Sequence, residues 1–264
     1  MASTNADVQS ARLKHIEGHL GVDRSNAIYN VANNKGSPPN SARSLASDAL
    51  ARAMFAWFSD RDLKATKQWA FVSGMLDKMV YQMEEDEDTF TYGPGGKLLQ
   101  LRTPLLSDHQ TLIDWFANFD KAFDQNRVEN HKTHDFWAYQ AIVALQGDWT
   151  RLLARSERVL ADPPGASSER KYQIDHQFYF ALANGDVEGM EVALRQIVQA
   201  KALAARHNDE SGFTADLIST PAFIYAKIAW RHGYEVRVDS TYIPSEWLPI
   251  APLERYDNYY PFLT

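Results

Sequence analysis

Residues 135–161 read DFWAYQAIVALQGDWTRLLARSERVLA, and residues 172–200 read YQIDHQFYFALANGDVEGMEVALRQIVQA. In each, an aromatic-rich run with helical spacing ends at Gly-Asp and passes directly into an amphipathic run. Glycine accepts the left-handed backbone that closes a helix, and the aspartate carboxylate caps the first amides of the next. The chain therefore reverses within two or three residues. Gly147-Asp148 and Gly185-Asp186 lie 38 residues apart, a period that belongs to stacked helix pairs. The predicted fold class is all-α: stacked antiparallel helical hairpins in a tetratricopeptide-like array, of which only the turn and the aromatic spacing are matched.

Upstream, SLASDALARAMFAWFSD from Ser44 and DLKATKQWAFVSGMLDKMVYQM from Asp62 carry apolar residues at steps of three and four, which predicts another helical hairpin. Asp60-Arg61-Asp62 between them reads as an earlier, degenerate copy of the Gly-Asp turn. Residues 84–103 combine five consecutive acidic residues with GPGG and are expected to form an acidic, glycine-rich insertion loop. Pro104 is expected to open a short helix, and Ser107 or Asp108 to cap the one after it. DPPGASSE at 162–169 separates helices, so 1–264 reads as one all-helical domain with N-terminal helices in residues 1–40. After Gly233 a short period-2 segment, Tyr234 to Asp239, leads into a tail with Pro244, Pro249, Pro252 and Pro261 among aromatic residues. That tail is expected to pack along the helices as an irregular strap.

The 264 residues, 45% hydrophobic and 23% charged, lie near globular averages, which excludes disorder over the whole chain. With no cysteine there is no disulfide scaffold, thiolate metal site or cysteine nucleophile, and a reducing, cytoplasmic setting is expected. The N-terminus lacks the pattern of a signal peptide, and no apolar run is long enough to span a membrane. Of the formal charge of −7, five negatives come from Glu84, Glu85, Asp86, Glu87 and Asp88. No clustered Lys/Arg surface accompanies them, so a basic protein partner fits better than nucleic acid.

The chemistry-bearing candidates are thin. His15 and His19 share a helix face without a third ligand, HIEGH lacks the glutamate placement of HExxH, and His131 and His134 flank a polar loop. GPGGK is not a phosphate loop, and no G-x-S-x-G elbow is present. Asp209, Glu210 and Asp216 near Lys227 could be drawn as a nuclease-like cluster, but such ligands are mounted on a sheet. Asp216 is instead expected in a buried network with Arg206 or Lys227. No catalytic, cofactor or metal residue is predicted.

The stretch from Ala215 to Leu253, ADLISTPAFIYAKIAWRHGYEVRVDSTYIPSEWLPIAPL, predicts a helix with Pro221 at its first position, Thr220 as its cap and Gly233 as its stop. It resembles the signature region of the immunity protein 49 family, the antidotes encoded beside bacterial polymorphic and type VI secretion toxins. QWAFVSGML, PLLSD, FWAYQAIVALQGDW and HQFYFALANGDVEGM follow in the family's order from about residue 44. The resemblance implies an all-α, non-catalytic protein that binds and neutralises a cognate toxin encoded nearby, a cytoplasm-acting effector such as a nuclease. It implies no contact residues. Those are chosen on chemistry: Glu84, Glu85, Asp86, Glu87 and Asp88 for steering a basic partner, and Tyr256, Tyr259 and Tyr260 as aromatic anchors. The alternative reading is a helical-repeat adaptor without a toxin partner.

Overall fold

In the computed structural model, which describes residues 5–87 and 89–263, 66% of the chain is helical and no strand occurs among the described residues. The longest contact pairs α3 (Pro38–Phe58) with α4 (Leu63–Asp86). α1 (Asn5–Leu20) and α2 (Ser25–Ala32) lie on α3. α3 begins earlier than the apolar period from Ser44 suggests, because Pro38 and Pro39 occupy its first turn, where a missing N–H costs nothing.

The turn chemistry read from the sequence is present three times. Gly147 takes φ +69° and Gly185 φ +67°. The Asp148 carboxylate accepts from Arg151 N at 3.1 Å, and that of Asp186 from Gly189 N at 2.9 Å. These turns join α9 (His134–Gln146) to α10 (Trp149–Ala161), and α12 (Gln173–Ala183) to α13 (Val187–Ile197). At the α3–α4 junction Arg61 takes the left-handed position with φ +55°, and Asp62 caps Ala65 N at 2.9 Å. The degenerate copy thus has the same geometry, with a non-glycine residue at the strained position.

Residues 84–103 depart from the expected loop. α4 continues through Asp86, and α5 (Pro94–Gln100) and α6 (Arg102–Ser107) follow. Pro94 starts α5 at a position where proline is favoured. Gly95 is tolerated inside it because a Cβ there would come within 2.9 Å of His134 Nε2. Pro104 lies within α6 rather than opening it. α7 (Gln110–Asn118) is capped by His109, whose Nδ1 accepts from Leu112 N at 3.2 Å, and not by Ser107 or Asp108. Two single-turn helices, α8 (Gln125–Val128) and α11 (Ser167–Arg170), and the short α14 (Ala200–Ala205) complete the order before α15.

α15 (Thr220–Arg231) is the central pin, buried from Thr220 to Ala229 and packed against α5, α6, α9 and α13. Ser219, not Thr220, occupies its cap position; the Thr220 amide donates to Glu210 at 2.6 Å and its hydroxyl to the same carboxylate at 2.5 Å. Tyr225 OH donates to Asp175 Oδ2 at 2.8 Å, where Trp137 Nε1 (2.6 Å) and Arg206 (2.5 Å to Oδ1) also converge. One buried carboxylate therefore ties α9, α12, the turn after α14, and α15 together. Asp216, expected in such a network with Arg206 or Lys227, instead pairs with Arg12 of α1 at 2.8 Å.

Candidate partner-binding surface

The chain after Gly233 lies over the helices in an irregular course, and its hold on them starts from Lys227. The Lys227 ammonium reaches Trp247 O (2.7 Å), Leu248 O (3.1 Å), Pro249 O (3.0 Å) and Asp108 Oδ1 (2.8 Å). Lys67 of α4 meets the other oxygen of Asp108 at 2.7 Å and Ala251 O at 2.6 Å, while Ala251 N donates to Asp108 at 3.2 Å. All three side chains are buried. Burial pulls Lys227 down to about 8, with Asp108 opposing. Asp108 holds φ +59°, a left-handed backbone that Asp tolerates better than most residues. Its role is to bind two ammonium groups and a strap amide, which local sequence could not reveal.

Beyond this lock the strap runs onto the outer side of α4. Gln68 exchanges two hydrogen bonds with the Asp257 backbone, at 2.6 and 3.0 Å. Phe71 packs against the rings of Tyr256 (4.8 Å) and His109 (4.7 Å), and burial lowers the His109 pKa. The Tyr256 hydroxyl donates to Ser107 O and accepts from Leu253 N at 2.9 Å. Trp69 meets Tyr259 edge-on at 4.6 Å, with the Arg52 guanidinium 5.0 Å from the Trp69 ring centre.

Gln68, Phe71, Met75, Lys78, Gln82 and Glu85 recur at steps of three and four and so share one stripe of α4. Met75 and Lys78 line a shallow recess of about 260 Å³ with Phe71, His109, Thr111, Leu112 and Asn258. Lys78 then lies over Trp115 at 5.8 Å, and Glu85 pairs with Lys121. The stripe spans about 26 Å from Gln68 to Glu85 at the helical rise, the width of a standard protein–protein patch. The tail tyrosines thus sit towards one end of one helix face and the acidic run at the other.

The individual candidates divide sharply. Tyr259 is 55% exposed with φ +61°, whereas Tyr260 is 6% exposed and Tyr256 is half-buried. Of the three expected anchors, only Tyr259 presents most of its ring. Glu84 is a correction: it is buried, ion-paired with Arg43, and accepts from Thr91 N at 3.0 Å, so it holds the chain after α4 rather than facing solvent. Asp86 and Glu87 are exposed, Glu85 is half-buried, and Asp88 lies outside the described residues. Sequence reading did not single out Trp69, Met75 or Trp115 as surface candidates.

Part of the framework behind this surface falls within a family match. The profile of immunity protein 49 matches residues 115–247. The chain belongs to the immunity protein 49 family. No curated protein and no solved structure matches it. The matched span contains both Gly-Asp turns, the Asp175 network and the whole of α15, and ends at the strap carbonyl nearest Lys227. α4 and Tyr259 lie outside it. Among the described residues no group of three His, Asp or Glu side chains is placed to hold a metal, and no helix is long and apolar enough to cross a membrane.

Proposed function

We propose that this member of the immunity protein 49 family binds a cognate toxin and neutralises it by protein–protein contact, without chemistry of its own. Family membership carries the reading. The geometry supports it, because the perturbed buried groups Lys227, Arg206 and Tyr225 are engaged by Asp108 or Asp175 inside the packed helices. The contact surface in this proposal is the outer stripe of α4 with the strap end: Tyr259 and Trp69 as aromatic anchors, Met75 and Lys78 at the recess, and Glu85, Asp86 and Glu87 steering a basic partner. The absence of cysteine suits a toxin met in a reducing compartment.

An adaptor that grips extended peptides inside a helical array is less well supported, since α15 fills the space between α13, α9 and α6. The test is co-purification with the toxin encoded beside this gene. Replacing Tyr259 with Ala should weaken that complex by tenfold or more while leaving thermal stability nearly unchanged. Wild-type affinity in the variant removes Tyr259 from the interface, and failure of the native protein to retain the toxin rejects the function.

A further inference from the structure

The densest acidic run of the sequence is partly neutralised in the fold. Glu84 and Glu85 are ion-paired with Arg43 and Lys121. A cleft of about 350 Å³ opens where the α3–α4 turn meets strap residues 238–246 and Gln9 of α1. Trp57 and Phe58 form its aromatic wall, braced edge-on by the buried Trp247 at 5.9 and 6.0 Å. Asp239 and Glu246 line the strap side, exposed and, among the described residues, without an ion-pair partner. Among the described residues Glu246 accepts from the neighbouring Ser245 hydroxyl alone, at 3.1 Å.

The resident cation of the lining is Arg61. Its guanidinium lies 5.2 Å from the centre of the Trp57 ring, and its backbone sits at φ +55°, where a side chain is strained. It makes no ion pair among the described residues, although Asp60 and Asp62 flank it in the turn; the Asp62 carboxylate caps α4. The cleft therefore already holds one guanidinium against its aromatic wall, and faces it with two unneutralised carboxylates.

We propose that this cleft seats a basic side chain, arginine or lysine, presented by a loop of the partner protein. The inference rests on the toxin-binding reading and adds a second contact to the α4 stripe. A cation over an indole gains from the ring quadrupole, and nearby carboxylates supply the charge-assisted hydrogen bonds that hold it. An anionic group would meet Asp239 and Glu246 with like charge. An apolar plug would strip water from both carboxylates without replacing it.

Two arms test this, and they can fail separately. In the first, the peptide acetyl-Gly-Arg-Gly-amide is titrated into the full-length protein while the Trp57 indole and the amides of 239–246 are followed by NMR. These resonances should shift, the same peptide with Glu in place of Arg should leave them still, and the variant D239N/E246Q should lose the response. Arg61→Gly, which suits the left-handed backbone and removes the competing cation, should strengthen binding at least twofold, an effect that structural damage would not produce. An unchanged response in D239N/E246Q, or weaker binding in Arg61→Gly, overturns the proposal.

The second arm uses the toxin encoded beside the gene. D239N/E246Q should weaken its binding at least tenfold and flatten the salt dependence. If both proteins bind it equally, the cleft proposal fails and the immunity reading stands. If the toxin binds neither, the immunity reading fails and the peptide titration alone decides the cleft.

Discussion

Replacing Asp108 with Asn is the sharpest probe of the strap lock. Asn is nearly isosteric and accepts φ +59° as readily as Asp, so the backbone is left undisturbed. The change removes the anion that meets two buried ammonium groups, Lys67 at 2.7 Å and Lys227 at 2.8 Å. Breaking a buried pair by removing one partner costs about 3–5 kcal/mol, a large share of the roughly 5–15 kcal/mol that holds a domain folded. Urea unfolding should show the loss as a midpoint lower by roughly 1–2 M for a slope of about 2–3 kcal/mol/M.

The pH dependence has a defined sign. Burial already draws Lys227 from 10.5 to about 8, with Asp108 opposing that fall. Without Asp108 the folded form sheds the proton at still lower pH, while the unfolded chain keeps it. The folded variant then binds fewer protons than the unfolded one across neutral pH, so its stability rises with pH and the deficit against wild type shrinks between pH 6 and 9. Adding Lys227→Met to Asp108→Asn should restore part of the loss, because one unpaired ammonium is removed. Trypsin should cut the strap at Arg255 faster in the single variant. A deficit below 1 kcal/mol at pH 7, or one that stays constant with pH, would refute the lock.

Other consequences are simpler to check. His176 is held down to about 4 by burial, so the unfolded chain takes up its proton first as pH falls below 6.5; the group should withdraw up to about 3 kcal/mol of stability between pH 6.5 and 4, and His176→Gln should flatten that part of a urea-midpoint profile. Gly185→Ala forces a side chain onto φ +67° and places a Cβ 3.2 Å from the Tyr234 hydroxyl, so thermal melting should report a loss of about 1–2 kcal/mol. Arg43→Ala leaves the buried Glu84 without its cation and should destabilise the protein by about 3 kcal/mol, whereas Asp86→Ser on the exposed side should change stability by less than about 0.5 kcal/mol.

What the sequence revealed and concealed follows the range of the interactions. The Gly147-Asp148 and Gly185-Asp186 turns were legible because left-handed closure and capping are settled within a few residues, and the strap because prolines and aromatics cannot float free. α5 was missed because Gly95 and Gly96 look like helix breakers until His134 is packed against the first and Tyr92 against the second. Asp108 read as a cap because its partners, Lys67 and Lys227, are far away in the chain. Arg43 is likewise 41 residues from the Glu84 that it removes from the acidic patch. Among the tail tyrosines no local signal separates Tyr259 from Tyr260. Burial of one and exposure of the other follow from how the strap turns over Trp69, where Tyr259 takes its left-handed backbone.

The proposal that this protein acts by binding alone is tested most directly by titrating it against the activity of its proposed cognate toxin. Neutralisation by contact predicts inhibition that grows in proportion to the protein added and is complete at one equivalent, with a stable complex recovered by size-exclusion chromatography. Complete inhibition by a small fraction of an equivalent would mean that the protein turns over and acts as an enzyme, and no inhibition at any ratio would mean that this toxin is not its target.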